Sequence, residues 1–312
     1  MSFSEEQLLI FDGACGTTLQ TMDIPENVWD GHEGCNEYLN LSSPETIMEL
    51  HRRFLDAGAM VVETNTFGAS SVVLSEYGLE DRVREINLAA VANARKAADE
   101  FSSPDSQRYI IGSIGPTTKL PILGHISPED LAATVTEQME ALLDGGVDAL
   151  IIETCQDLLQ IKTVLITCFE LLEKRGITLP VLASVTFEQQ GTMLVGTDIA
   201  AVCATIAPFP VFSLGLNCAT GPTDMEPHID YLCKHWDRRV SCIPNQGMPE
   251  VVNGKTHYPL TPEEYGQHMY TFVTEKGVSI VGGCCGTSPE HTKGLVKALQ
   301  DAVPAERVEV TK

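Results

Sequence analysis

Ala149-Leu150-Ile151-Ile152-Glu153 is apolar through its first four positions and ends on a carboxylate. A run with no polar alternation is what a strand buried on both faces requires. Seven other segments read the same way: Leu8 to Asp12, Met60 to Thr64, Tyr109 to Ile114, Val181 to Phe187, Val211 to Asn217, Val240 to Pro244 and Ser279 to Gly283. Each is followed by a stretch with helical spacing and a polar or glycine-rich turn. Strands of this kind alternating with helices imply a parallel sheet, and eight such units predict a closed (β/α)8 barrel, an α/β fold of TIM-barrel type.

Helix starts support that count. Ser43-Pro44-Glu45, Ser127-Pro128-Glu129, Thr261-Pro262-Glu263 and Ser288-Pro289-Glu290 share one grammar. A hydroxyl caps the first turn, proline takes the first helical position, and an acid complements the helix dipole. The connections between Leu19 and Pro44 and between Pro116 and Pro128 are longer than a barrel needs, which predicts loops, and candidate lids, over the top face. The expectation is one domain over residues 1–312, with its core at about 8–299, a short N-terminal extension and a tail from Ala302-Val303-Pro304 onward.

Composition bounds the function. At 312 residues, 43% hydrophobic and with a mean hydropathy of +0.02, the chain reads as a soluble globular protein, though composition alone also allows two smaller domains. Its apolar runs fall far short of a membrane span. A net charge of −23 argues against nucleic acid, which needs a basic footprint; the acidity is mostly a solvated surface. The start, Met1-Ser2-Phe3-Ser4-Glu5-Glu6, lacks the basic and apolar regions of a secretory signal, so the expected location is the cytoplasm. The ten cysteines are then reduced thiols, and a clustered subset reads as metal-binding or catalytic. Cys35, Cys168, Cys203 and Cys233 read as packed small residues.

In a parallel barrel every strand ends on the same face, so residues distant in sequence converge there. Asp12, Glu63-Thr64-Asn65, Glu153, Asn217-Cys218, Asn245 and Cys284-Cys285 all fall at or just beyond strand ends. Cys218, in Gly215-Leu216-Asn217-Cys218, can meet the pair in Gly282-Gly283-Cys284-Cys285-Gly286 across the barrel mouth. Three thiolates suit zinc with one position open to substrate. Small core residues or a metal-free redox pair are the alternatives, and the flanking glycines favour the metal by letting the backbone turn sharply.

Asp12 and Glu153 could each pair with a lysine or cap a helix, but together beside a thiolate site they suit a ligand ammonium. The turn Asp12-Gly13-Ala14-Cys15-Gly16-Thr17-Thr18 offers backbone N–H groups to a carboxylate. Ammonium holders, an anion holder and a thiophilic metal together describe an amino acid that carries a thiol.

With these residues in place the chain resembles the homocysteine S-methyltransferase family, in particular its cobalamin-dependent, methionine-forming branch, from about Leu8 to Leu299. The likeness is carried by Asp12 to Thr17, Glu63-Thr64-Asn65-Thr66-Phe67-Gly68, Gly115-Pro116-Thr117, Ile152-Glu153-Thr154, Gly215 to Cys218, Pro244-Asn245 and Gly282 to His291. The resemblance implies a (β/α)8 barrel with zinc on Cys218, Cys284 and Cys285. It implies that Asp12 and Glu153 hold the amino group of L-homocysteine, that amides near Gly13 and Ala14 receive its carboxylate, and that Asn245 occupies or gates the open metal position. The implied reaction is methyl transfer to sulfur, forming methionine. Methylcobalamin or another methyl-corrinoid, on a partner or a further module, is the implied donor. Betaine and S-methylmethionine are the alternatives within the family; a thiol- or zinc-binding protein or a redox protein is the alternative outside it.

Overall fold

The expected strands all form in the computed structural model, which describes residues 2–248, 250–252 and 255–307, without the side chains of 250–252 and 255–257. They are β1 (Leu9–Ile10), β2 (Val61–Glu63), β3 (Tyr109–Ile114), β4 (Ala149–Cys155), β5 (Val181–Val185), β6 (Ser213–Asn217), β7 (Arg239–Ile243) and, after a short hairpin, β10 (Ile280–Val281). Pairing is parallel throughout, in the order β1-β10-β7-β6-β5-β4-β3-β2. The ring closes at a parallel bridge between Phe11 and Val61, where Met60 N–H donates to the Ile10 carbonyl at 2.8 Å and Asp12 N–H to that of Val61 at 3.0 Å. The expected barrel is therefore the observed one.

The helices are α1 (Cys15–Leu19), α2 (Leu39–Ser42), α3 (Pro44–Asp56), α4 (Ser71–Leu74), α5 (Val83–Phe101), α6 (Pro128–Gly145), α7 (Leu158–Arg175), α8 (Ile199–Ile206), α9 (Pro222–His235), α10 (Pro262–Thr274) and α11 (Pro289–Ala298). Helices α3, α6, α10 and α11 each begin at the proline of a Ser/Thr-Pro-Glu signature. Ser127 and Thr261 accept the cap hydrogen bonds, from Asp130 N at 3.0 Å and Glu264 N at 3.3 Å.

Alternation along the strands sorts the apolar side chains into two cores. Leu9, Phe11, Val61, Ile111, Ile151 and Ile280 point inward and fill the barrel, while Ile10, Val62, Ile110, Leu150, Leu214 and Val281 face the helices. Each such burial stabilises the fold by ~1.5–3 kcal/mol. The N-terminal extension stops the barrel's lower end. Phe3, only 5% exposed, sits edge-on to Tyr109 with ring centroids 5.5 Å apart and 5.6 Å from Phe212, over which Arg239 stacks. Met1 and the tail beyond residue 307 lie outside the described residues.

Two features of the upper face differ from expectation. The 20–43 connection is folded against the barrel rather than draped over it. Cys35, Tyr38 and Leu39 are buried, and Asn65 Nδ2 donates to the Asn36 carbonyl at 2.8 Å. It is a fixed wall, because its own apolar residues pay for ordering it. The hairpin of β8 (Glu250–Val252) and β9 (Lys255–His257), inserted between β7 and α10, was not anticipated. Among the described residues, no helix is long and apolar enough to cross a membrane.

Candidate metal and substrate site

The strand ends open into one cavity of about 380 Å³, whose lining includes Cys218, Cys284 and Cys285 together with Asp12, Glu63 and Glu153. The three sulfurs come from β6 and the turn after β10. All lie within 4.8 Å of one another, and the Cys218 and Cys285 sulfurs are 3.8 Å apart.

The backbone is bent to bring them there. Cys218 and Ala219 both take the left-handed region, at φ 61° and 57°, an arrangement that costs a non-glycine residue ~1–3 kcal/mol and persists only where the surroundings enforce it. The enforcing contacts are Cys218 N–H to the Ile243 carbonyl at 3.2 Å and Thr220 N–H to the Cys218 carbonyl at 2.7 Å. On the other segment, Cys284 N–H donates to the Pro244 carbonyl at 2.8 Å. The flanking glycines serve two different purposes. Gly286 supplies the turn at φ 82°, as expected; Gly283 is there for close approach, since a Cβ would stand 2.3 Å from Thr287 Oγ1.

The three thiols are unequal. Hydrogen bonds from Cys218 and Cys284 draw Cys285 below the ordinary thiol range, against the resistance of burial. Cys284 is pushed well up by its bonds to Cys218 and Cys285 together with burial.

Zinc fits this donor set. A tetrahedral ion with Zn–S bonds of about 2.3 Å places its sulfurs about 3.8 Å apart, the separation seen between Cys218 and Cys285. Asn245 adds a second sign. It is 4% exposed, its N–H donates to the Thr220 carbonyl at 3.0 Å, and its Oδ1 is buried with no partner among the described residues.

The cavity also holds an acidic group of residues. Asp12 Oδ2 accepts the Glu63 N–H at 3.1 Å; Glu153 Oε1 accepts from Ser113 Oγ at 2.6 Å, and its Oε2 from Asn217 Nδ2 at 3.2 Å and Thr154 Oγ1 at 3.3 Å. Burial raises Asp12, Glu63 and Glu153 above the ordinary carboxyl range, and the neighbouring carboxylates push Asp12 and Glu63 further. Among the described residues, no lysine or arginine lines the cavity.

The anion-receiving turn is only partly as expected. Ala14 N–H is already engaged, donating to both the carbonyl and Oγ1 of Thr287 at 3.2 Å, so it is not free to receive a carboxylate. The Gly13 N–H has no partner among the described residues, and neither do those of Cys15, Gly16 and Thr17 at the start of α1.

The model of the family described as homocysteine S-methyltransferase matches residues 9–299. The chain belongs to that family. It is 42% identical over 302 residues to a methionine synthase of Mycobacterium tuberculosis (strain ATCC 25618 / H37Rv), a match covering 97% of this chain and 25% of the relative. A methionine synthase of Mycobacterium leprae (strain TN) is 42% identical over 294 residues, covering 94% of this chain and 24% of the relative. The chain thus spans about a quarter of the length of these relatives. Among solved structures, the metallated form of the homocysteine methyltransferase MmuM from Escherichia coli superposes with a TM-score of 0.74 over 93% of this chain and 96% of that one, at 23% identity, which speaks for a shared fold.

Within this homocysteine S-methyltransferase barrel, several site residues carried no assigned role in the sequence reading. Asn217 is the hub of the acidic group. Its Oδ1 accepts from Thr154 N at 2.9 Å and Ser184 Oγ at 2.6 Å, and its Nδ2 donates to Thr154 Oγ1 at 2.6 Å. That clamp holds Thr154, a β-branched residue, at φ 56°. Glu37, from the 20–43 wall, lines the cavity and accepts the Gly68 N–H at 2.7 Å. His51 of α3 also lines it, 2% exposed, with Nε2 unpartnered among the described residues and burial holding it down to about 4, a neutral imidazole. The only available signals were an asparagine at a strand end and a histidine on an apolar helix face.

Proposed function

We propose that this chain is a zinc-dependent homocysteine S-methyltransferase, a homocysteine-binding barrel spanning residues 1–312 that forms methionine, with a methyl-corrinoid as donor. The observation that carries the reading is one cavity lined by three grouped thiols and by the carboxyls of Asp12, Glu63 and Glu153, with no lysine or arginine among its described lining residues. Cys218, Cys284 and Cys285 would hold the ion, with Asn245 Oδ1 available to its remaining position. When bound, zinc lowers the pKa of a substrate thiol, so that the nucleophile is a thiolate at neutral pH without a general base.

The protein's own residues do the rest. Asp12 and Glu153 attract the substrate ammonium and so fix the direction in which its side chain points. The Gly13 N–H and the first turn of α1 face the substrate carboxylate. Held at both ends, homocysteine extends its sulfur toward the three cysteines. A sulfur–carbon bond then forms to the incoming methyl group as its bond to the donor breaks, and the bonding pair leaves with the donor. Positioning of this kind lowers the barrier by avoiding the entropy of a bimolecular encounter.

Support for a donor carried on a macromolecule comes from two sources. The methionine synthases at 42% identity are about four times as long as the matching region. The barrel mouth is also rimmed by exposed apolar side chains on the loops after β2, β3 and β5: Phe67, Ile122, Leu123, Leu194 and Val195. The ten free cysteines suit the cytoplasm. The test is methionine formation by zinc-loaded protein from homocysteine with methylcobalamin, betaine or S-methylmethionine in parallel. Activity with methylcobalamin is the expected result. Turnover with betaine alone would overturn the donor, and Cys218→Ala protein that kept both zinc and turnover would overturn the whole reading.

A further inference from the structure

The acidic group holds one carboxyl more than the ammonium reading uses. Glu153 is the most engaged of the three, its two oxygens already accepting three hydrogen bonds, from Ser113, Thr154 and Asn217. Glu63 is different. Its side chain is half-buried, lines the cavity, and receives no donor among the described residues. Its backbone N–H meanwhile holds Asp12 Oδ2 at 3.1 Å, which fixes the Asp12 carboxyl beside the strand end that carries Glu63. The structure assigns Glu63 to the substrate site as a third carboxyl contact for the ligand ammonium, the one that makes the cavity select thiols bearing an α-amino group.

The argument rests on the homocysteine reading and on counting hydrogen bonds. An alkylammonium has three N–H donors, and Asp12, Glu63 and Glu153 converge on one cavity with Asp12 Oδ1 and the Glu63 carboxyl unsaturated. Three carboxyls this close cannot all ionise unrelieved. Burial and the neighbouring carboxylates of Glu153 and Asp12 raise Glu63 above the ordinary carboxyl range in the absence of a cation. A ligand that lacks the amine leaves that state as it is and gains nothing from Glu63. A ligand that has it gains a charge-assisted hydrogen bond in a site without competing lysine or arginine among its described lining residues.

Calorimetric titration of the zinc-loaded 312-residue chain with L-homocysteine and with 4-sulfanylbutanoate, which has the same thiol and carboxylate but no amine, tests this. For Glu63→Gln, homocysteine affinity is expected to fall about ten- to hundredfold while that of 4-sulfanylbutanoate moves less than about threefold, with zinc content unchanged. Glu63→Asp, which keeps the charge, is expected to show the same selectivity loss to a smaller degree, and it serves if the glutamine variant does not fold. Equal loss for both ligands, or no loss, would overturn the assignment. A wild-type chain that bound both thiols equally would overturn this inference together with the ammonium contacts proposed for Asp12 and Glu153, whereas the two Glu63→Gln outcomes just named overturn this inference alone. One that bound neither would remove the proposed function, and this inference with it.

Discussion

At the lower end of the barrel Phe3, Tyr109, Phe212 and Arg239 stack with ring contacts of 4.7–5.6 Å and the backbone around them is ordinary, although Arg239 Nη1 is buried with no partner among the described residues. At the upper end Thr154, Cys218 and Ala219 sit at positive φ, Asn245 Oδ1 and His51 Nε2 are buried without partners among the described residues, and three carboxyls crowd one cavity. Both ends are made from the same eight strands. The difference shows where this fold spends its stability: the floor gains free energy by burial, and the mouth gives some of it up to hold groups in arrangements that only a ligand completes. Substitutions at the two ends should therefore separate stability from chemistry.

The largest expected effect is at the mouth. Cys285→Ala removes one of the three grouped sulfurs; metal analysis should show zinc lost, and methionine formation should fall by about a thousandfold or more. The melting temperature of the chelator-treated protein should barely move. At the floor the pattern should invert. Phe3→Ala deletes a ring that is 5% exposed and should cost about 3 kcal/mol in urea unfolding, the low end for a buried aromatic because it lies near the terminus. Zinc content at 25 °C should remain one per chain. If Cys285→Ala destabilised the apo-protein as much as Phe3→Ala does, the contrast between the ends would be lost.

The two ends were also unequally legible in the sequence. Strands such as Ala149–Cys155 and helix starts such as Thr261-Pro262-Glu263 could be read because local pattern decides them. The cysteines and the acids at strand ends could be read because barrel topology forces them together. The left-handed Cys218 could not, since nothing local favours that conformation in a cysteine and the Ile243 carbonyl that stabilises it lies on another strand. Nor could the occupied Ala14 amide, whose acceptor is Thr287, 273 residues away. The Phe3 plug is illegible in the sequence for the same reason: its value lies in Tyr109 and Phe212, and three residues of sequence give no periodicity to read.

His51 sharpens the comparison through pH. Burial holds its pKa at about 4 in the fold, whereas an unfolded histidine titrates near 6.5. The unfolded chain therefore takes up a proton first as pH falls, so the stability this neutral histidine permits is intact above about 6.5 and is lost as pH drops toward 4. The full window amounts to about 3 kcal/mol. Urea unfolding of chelator-treated wild type and His51→Gln, compared from pH 7 to pH 4, should show the wild type losing the larger amount. Parallel curves would mean that the imidazole takes up its proton at the same pH in the fold as in the unfolded chain, so that burial does not hold its pKa down.

The smallest effect, and the most local, is at Gly286. Its φ of 82° is costly for any L side chain, and a Cβ there would stand 2.5 Å from the ring of Tyr258, whose hydroxyl is raised by burial and by the nearby cysteine charges. Gly286→Ala should cost about 1 kcal/mol from the backbone, with a further penalty from the ring. The two can be separated. Tyr258→Ala in the same chain removes the clash and leaves the backbone cost, so a double-mutant cycle in thermal unfolding should return a favourable coupling between the substitutions. A coupling of zero would mean that Tyr258 moves aside freely and that Gly286 is needed for its φ alone, leaving the turn that carries Cys284 and Cys285 set by backbone rather than by packing.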